Sequence, residues 1–419
     1  MKASGILFFL LLICFLNCGC SEHKAKADDL DIAFKYVIEP QFDWAMDFKE
    51  ELALVAIEFK FGFIDKSGNI AIEPRYDMAR NFNEGLALVV MGDKFGYIDK
   101  HGNMIVDPQF NFGFDFREGM ALVNYANKWG YINNRGELII SPQYDAAWAF
   151  NEELAMVANE NGIGYIDKQG TFVIKPSFRS DVFLRFYEES GAHHYLGHFN
   201  NGIALAIQDE QYGFINKEGL FVIGHCYDAE SIFDVLRIGH FLTYELGMEN
   251  YNLGYFNEGL AVAAIEGKYG YIDSNGRFVI EPQFDFAFNF NEGLAPVVVE
   301  GRYGYIDREG HFVIEPQFDF ALNFNEGLAM VTIADKWSYI DKAGVFVIPF
   351  FDIDNYYDDE GLGRFSEGMT RIKIKDKWGY MDKKGNIVIE PQFEAARDFN
   401  DGLARVKIGN KWGYICIKK

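Results

Sequence analysis

Short apolar runs of five or six residues recur along almost the whole chain, each bounded by Gly, Asp, Asn or Pro. "LALVVM" (86–91) and "KFGYID" (94–99) are rich in β-branched and aromatic residues and read as strands. Asp99-Lys100-His101-Gly102 follows, with Gly where a hairpin turn plus bulge needs positive φ. "MIVDP" (104–108) is the return strand, ended by Pro108 because proline donates no ladder hydrogen bond. "QFNFGFDFREG" (109–119) then carries the chain into the next apolar run. One unit is therefore predicted to be a three-stranded antiparallel meander with a connecting arm.

The unit repeats. A Gly followed by Phe or Tyr falls at positions 62, 96, 130, 164, 213, 270, 304, 379 and 413, with Ser338 in the same register. Six of the nine steps are 34 residues, and the others are 49, 57 and 41. Three insertions, near 180–198, 229–251 and 352–360, account for the longer steps, and all fall between the Pro and the "EGL" of a unit. In a stack of like units, one slot means one edge, and such insertions often form the binding edge. Nine of the ten prolines share the return-strand slot, Pro296 being the exception. A meander this small cannot bury its aromatic face alone, whereas stacking on like neighbours can. The expected fold is all-β, a tandem array of about ten 34-residue antiparallel meanders forming an open or superhelical stack. A closed propeller-like ring is the alternative, because "YVIEPQFD" (36–43) and "KWGYICIKK" (411–419) are complementary parts of one unit. The second insertion has an apolar pattern at Ile232, Phe233 and Leu236, so short helices are expected in the insertions.

"KWGYMDKKGNIVIEPQF" (377–393) with "FNDGLARV" (399–406) resembles the WG-containing β repeat of many bacterial secreted and surface proteins, over residues 36–419. The resemblance implies a β repeat fold and carries no general activity. The first twenty residues differ from the rest. Lys2 precedes the apolar run "ILFFLLLICFL" (6–16), as in a secretory signal, and the run is too short to span a bilayer as a mature helix. Gly19-Cys20 resembles the lipobox of bacterial lipoproteins, which implies lipidation of Cys20, although Asn17 stands where that family prefers Leu. Residues 1–20 are thus expected to be a signal peptide, 21–35 a polar tether and 36–419 the repeat domain. The expected location is exported, in the bacterial cell envelope, lipid-anchored on a periplasmic or outer surface.

Lys plus Arg is 39 against 62 Asp plus Glu, a net charge of −23. Such a surface repels nucleic acid and anionic headgroups, which need clustered cations. Only Cys226 and Cys416 follow the leader, too few for a disulfide framework. The repeated Asp and Glu read as turn residues, since copies of one carboxylate make no active site and catalysis needs different groups converging. Distinct chemistry is expected only where the repeat is broken. His193, His194 and His198 lie in the first insertion, and His194 and His198 have the spacing of a helical metal pair, although Gly191 and Gly197 disfavour a helix. Asp354 and Asp358 in the third insertion are candidate oxygen ligands. The leading expectation is an envelope-anchored, non-enzymatic binding protein, monomeric and without cofactor, that contacts protein or glycan through the inserted edge. The alternatives are a metal-dependent enzyme using the histidines and a purely structural envelope component.

Overall fold

The computed structural model describes residues 34–178, 197–208, 211–227, 256–265, 267–334, 336–352 and 364–418. They form 37 strands, β1 to β37 in chain order, in ten sheets. The first unit shows the pattern. β3 (Leu52–Ile57) and β4 (Lys60–Asp65) pair as a tight hairpin, and β5 (Ile70–Tyr76) returns along β4. A strand of two residues, β2 (Trp44–Ala45), adds to the far side of β3. The expected three-stranded meander is present, and the arm supplies a fourth, very short strand. Seven sheets have four strands and three have three; those three belong to the units that follow the insertions.

The Gly before each aromatic has a steric cause. The return strand bulges between Ile72 and Tyr76 and lays its backbone over Gly62. A Cβ there would meet the Ile72 carbonyl at 2.5 Å and the Pro74 nitrogen at 2.6 Å. Gly130, Gly270 and Gly379 are equally crowded, at 2.3–2.4 Å from the covering carbonyl. Unit eight is the exception that fits. Its return strand has one residue fewer between Ile348 and Phe351 than its neighbour has between Ile314 and Phe318. Ser338 is accommodated there, and its hydroxyl donates to the Ile348 carbonyl at 2.5 Å.

The aromatic after the Gly joins one unit to the next. Tyr97, Tyr131, Tyr305 and Tyr380 are buried and donate to the carbonyls of Phe114, Trp148, Leu322 and Arg397 at 2.6–2.8 Å. Leu54, Phe63, Ile72 and Tyr76 pack against Ala79, Phe82, Ala87, Val89 and Ile98 of the following unit. At roughly 1.5–3 kcal/mol for each large side chain removed from water, the stabilising burial lies between units, and one alone has no core.

A second link is ionic. Asn83 and Leu86 close a two-residue turn in which Glu84 (φ +52°) and Gly85 (φ +81°) are both left-handed. The Glu84 carboxylate accepts from the backbone N–H groups of Glu118 and Gly119 in the next turn, at 2.7 and 2.8 Å. Glu118 does the same to Glu152 and Glu153, and Glu326 to Glu367 and Gly368. Lysines seal the link, as in Lys100–Glu50 at 3.1 Å and Lys383–Glu326 at 2.9 Å.

The array closes on itself. β1 (Phe34–Phe42) pairs antiparallel with β37 (Lys411–Ile417), from Phe34 opposite Ile417 to Phe42 opposite Trp412, and completes the tenth sheet. The tyrosine and ion-pair links recur across this seam. Tyr414 donates to the Met46 carbonyl at 2.6 Å, and Lys66 meets Asp401 at 2.5 Å. Arg405 meets Asp47 as Arg371 meets Asp398, and Lys411 meets Asp43 as Lys60 meets Asp77. The fold is a ten-bladed β-propeller, so the ring replaces the expected open stack. The complementary end fragments supply one blade between them, which an open array would leave split and half-exposed. No described residue is helical, and the insertions expected to hold helices lie outside the described residues except for Gly197, His198 and Asp352.

Candidate functional site: the hairpin rim

Each blade presents two ends. At one lies the tip of its first hairpin, Glu58–Phe59 in unit one, next to Tyr76, where the return strand finishes. At the other lie the turn Asp65–Asn69 and the Glu84–Gly85 type of turn. The turn rim is built from satisfied carboxylates. Asp65 Oδ1 accepts from the N–H groups of Ser67 and Asn69 at 2.9 Å, and Asp99, Asp341 and Asp382 repeat this.

The insertions leave from the hairpin rim. They follow Phe178, Tyr227 and Asp352, at the finishing ends of three return strands, and rejoin the ring at Gly197, Phe256 and Arg364. The departing flanks thus share one rim, whereas Phe256 directly precedes the Asn257–Leu260 turn of the opposite rim. His193, His194, Asp354 and Asp358 lie outside the described residues, as does Cys20. His198 is described and buried between units. Beside it, Tyr165 donates to the Gly197 carbonyl at 2.8 Å, and a Cβ on Gly197 would fall 2.5 Å from the Met156 sulfur. Among the described residues, no group of three or more His, Cys, Asp and Glu could hold a metal ion.

The described part of this rim has its own distinct feature. The tip of unit one carries Phe59, 92% exposed and left-handed at φ +64°. Asn127, Asp376 and Asn410 hold that turn position in other units, as expected of residues that tolerate the conformation. Phe59 is therefore both strained and unburied. Around it, units one to three expose Trp44, Met78, Met91, Phe112 and Tyr125, the last at 55%. Trp44, Met78 and Phe112 are the first residues of the short strands, and Met91 and Tyr125 immediately precede hairpin tips. Phe112 lies 4.9 Å from the Phe95 ring and 6.2 Å from Trp129, so it spans two units.

The platform is fixed from below. The N–H of Glu58 donates to Asp43 Oδ2 at 2.8 Å, and Lys411 pairs with the same carboxylate. The lysine hydrogen bond, followed by that backbone bond, holds the Asp43 carboxyl below its usual range. The arrangement recurs at Asp77, which pairs with Lys60 and accepts from Gly92. Sequence reading looked for distinct chemistry in the insertions and missed this patch. The signal was available, since Phe59 stands where eight of the nine sister units have Asn, Asp or Gly, the ninth having Glu210.

No curated protein matches the chain. Among solved structures, a eukaryotic initiation factor is similar at 10% identity, over 76% of this chain and 90% of that one, with a TM-score of 0.43. The extracellular domain of a hybrid two component system from B. thetaiotaomicron is 12% identical over 90% of this chain and 58% of that one, at 0.26. A surface component of the type-IX secretion system of Porphyromonas gingivalis is 9% identical over 89% and 50%, at 0.24. All three likenesses are distant. The WG containing repeat matches residues 30–58, 61–95, 95–129, 129–162, 163–180, 269–303, 303–337, 337–378 and 378–412, and the chain belongs to that family.

Proposed function

We propose that the protein is an exported, lipid-anchored binding protein without enzymatic activity, which holds a protein or glycan partner on its hairpin rim as a single ring. Phe59 carries this reading. A bulky residue that is strained and almost wholly exposed contributes nothing to folding, so a role in contact accounts for it. Exposed aromatics and methionines beside it supply the area that protein and sugar surfaces bind. The topology agrees. β1 begins at the turn rim, where Phe34 faces Ile417, and the insertions leave from the opposite rim, a return strand of about 20 Å away. An anchor at Cys20 would therefore turn the aromatic platform away from the bilayer.

A photoreactive residue at position 59, compared with one at position 309 on the turn rim, tests the contact in cells. Adducts to one envelope component are expected at 59 only; equal adducts at both sites would sink the reading. Fatty-acid labelling that Cys20→Ala abolishes is the expected result for the anchor, and unchanged labelling would remove it.

A further inference from the structure

The net charge of −23 conceals a local reversal. Arg364–Lys419 holds 13 Lys and Arg against 7 Asp and Glu, a net of +6. The remaining 363 residues hold 26 and 55, a net of −29. Five of the seven acids in this sector are engaged within the ring. Asp382 caps its turn, Asp398 meets Arg371 and Asp401 meets Lys66. Glu367 accepts from Gly402, and Glu394 accepts from Gly409 and Asn410.

On the turn rim, Lys384 and Lys418 are exposed at the same position of successive units, and among the described residues neither is in a salt bridge. Elsewhere that position holds Ser67, His101, Gln169, Glu218, Asn275, Glu309 and Ala343, with Arg135 the other permanent cation. Lys35, also exposed, joins them from β1, opposite Cys416. The rest of the N-terminal chain meets the ring beside these three lysines. Thirteen residues, 21–33, separate Cys20 from Phe34, a reach of at most about 45 Å.

We propose that the turn rim of units nine and ten, centred on Lys35, Lys384 and Lys418, docks on an anionic phospholipid surface. The inference rests on the anchor reading, since the tether would hold this sector, and not the acidic remainder, against the headgroups. It departs from the expectation that net charge repels anionic headgroups, because the acidic excess lies in the other units. Each exposed lysine near an anionic bilayer adds about 1 kcal/mol of attraction to the headgroups.

Vesicle flotation of residues 21–419 tests it, with phosphatidylglycerol-containing vesicles against pure phosphatidylcholine at low and high salt. The expected result is binding to the anionic vesicles alone, lost at high salt. Combining Lys35→Glu, Lys384→Glu and Lys418→Glu should weaken it by about tenfold or more, at roughly fivefold per cation near the surface. Arg135→Glu, Lys175→Glu and Arg277→Glu make the same charge change on exposed cations of units three, four and six and should leave it intact. Equal binding to both vesicles, equal loss in both triple variants, or a salt-sensitive dimer in place of vesicle binding would overturn the proposal. The assay uses no lipidated chain, so failure of the anchor, read from Cys20 labelling, is distinguishable from failure of this surface.

Discussion

Replacing Phe59 by Asn should make the protein more stable. A side chain in the left-handed region costs roughly 1–2 kcal/mol for an ordinary L-residue, and Asn is among the few that adopt it readily. Asn127 and Asn410 already occupy the equivalent tip position at φ +62° and +64°. Phe59 is 92% exposed, so truncating it uncovers almost no apolar surface and leaves no cavity. The turn keeps its pin, because the bond to Asp43 comes from the backbone of Glu58. The net expectation is a gain of about 1 kcal/mol. Urea unfolding followed by tryptophan fluorescence measures it as a higher midpoint at unchanged slope. A loss of more than about 0.5 kcal/mol would show that Phe59 is packed, and would remove the strain argument with it. The same variant should lose contact with the partner, separating a residue kept for binding from one kept for folding.

Ring closure is tested by pairing Phe42→Ala in β1 with Phe318→Ala in an interior blade, both residues being 1% exposed. Each should cost about 3–5 kcal/mol, and a nearly silent Phe42→Ala would mean that the seam is open in solution. Gly304→Ala should destabilise by about 1–3 kcal/mol through overpacking, since its Cβ would lie 2.7 Å from the Ile314 carbonyl. Ser338→Gly should be far milder, and equal melting losses would refute the steric account. Burial pushes the Glu326 carboxyl up, but the Lys383 hydrogen bond and the N–H groups of Gly368 and Glu367 outweigh it, for a net lowering. A lowered folded pKa contributes stability above the unfolded value near 4.3, lost as pH falls through the folded value. Melting temperature should hold from neutral pH to about 5 and fall below about 4.3, with a shallower fall in Glu326→Gln; a flat profile would refute the link.

The blade was legible in the sequence because its signals are local. Alternation, Asp-x-x-Gly turns and the return-strand proline each act within a few residues, and the turn bonds at Asp65 and Asp99 follow from them. The two-residue strands were not legible, since Trp44–Ala45 or Ala395–Ala396 is too short to show any period. Closure was legible only as complementary end fragments. Whether they meet depends on the small rotation between units accumulated ten times, which no single repeat encodes. The site was harder still, because exposure belongs to the assembled rim. Tyr125 resembles any other repeated aromatic until its neighbours are known, and Phe59 is marked only by its departure from the residues of the sister tips.

The seam also has a consequence in time. The strand that completes the tenth blade is the first of the fold to leave the ribosome, and its partner, Lys411–Ile417, is nearly the last. Interior blades can assemble as they emerge, but Phe34, Ile38 and Phe42 must wait for some 370 residues to follow. Until then a nine-residue edge bearing Phe34, Ile38 and Phe42 stands open, able to pair with another copy's late strand as well as with its own. Dilution during synthesis, or delivery across a membrane one chain at a time, favours the self-paired ring over the exchanged one.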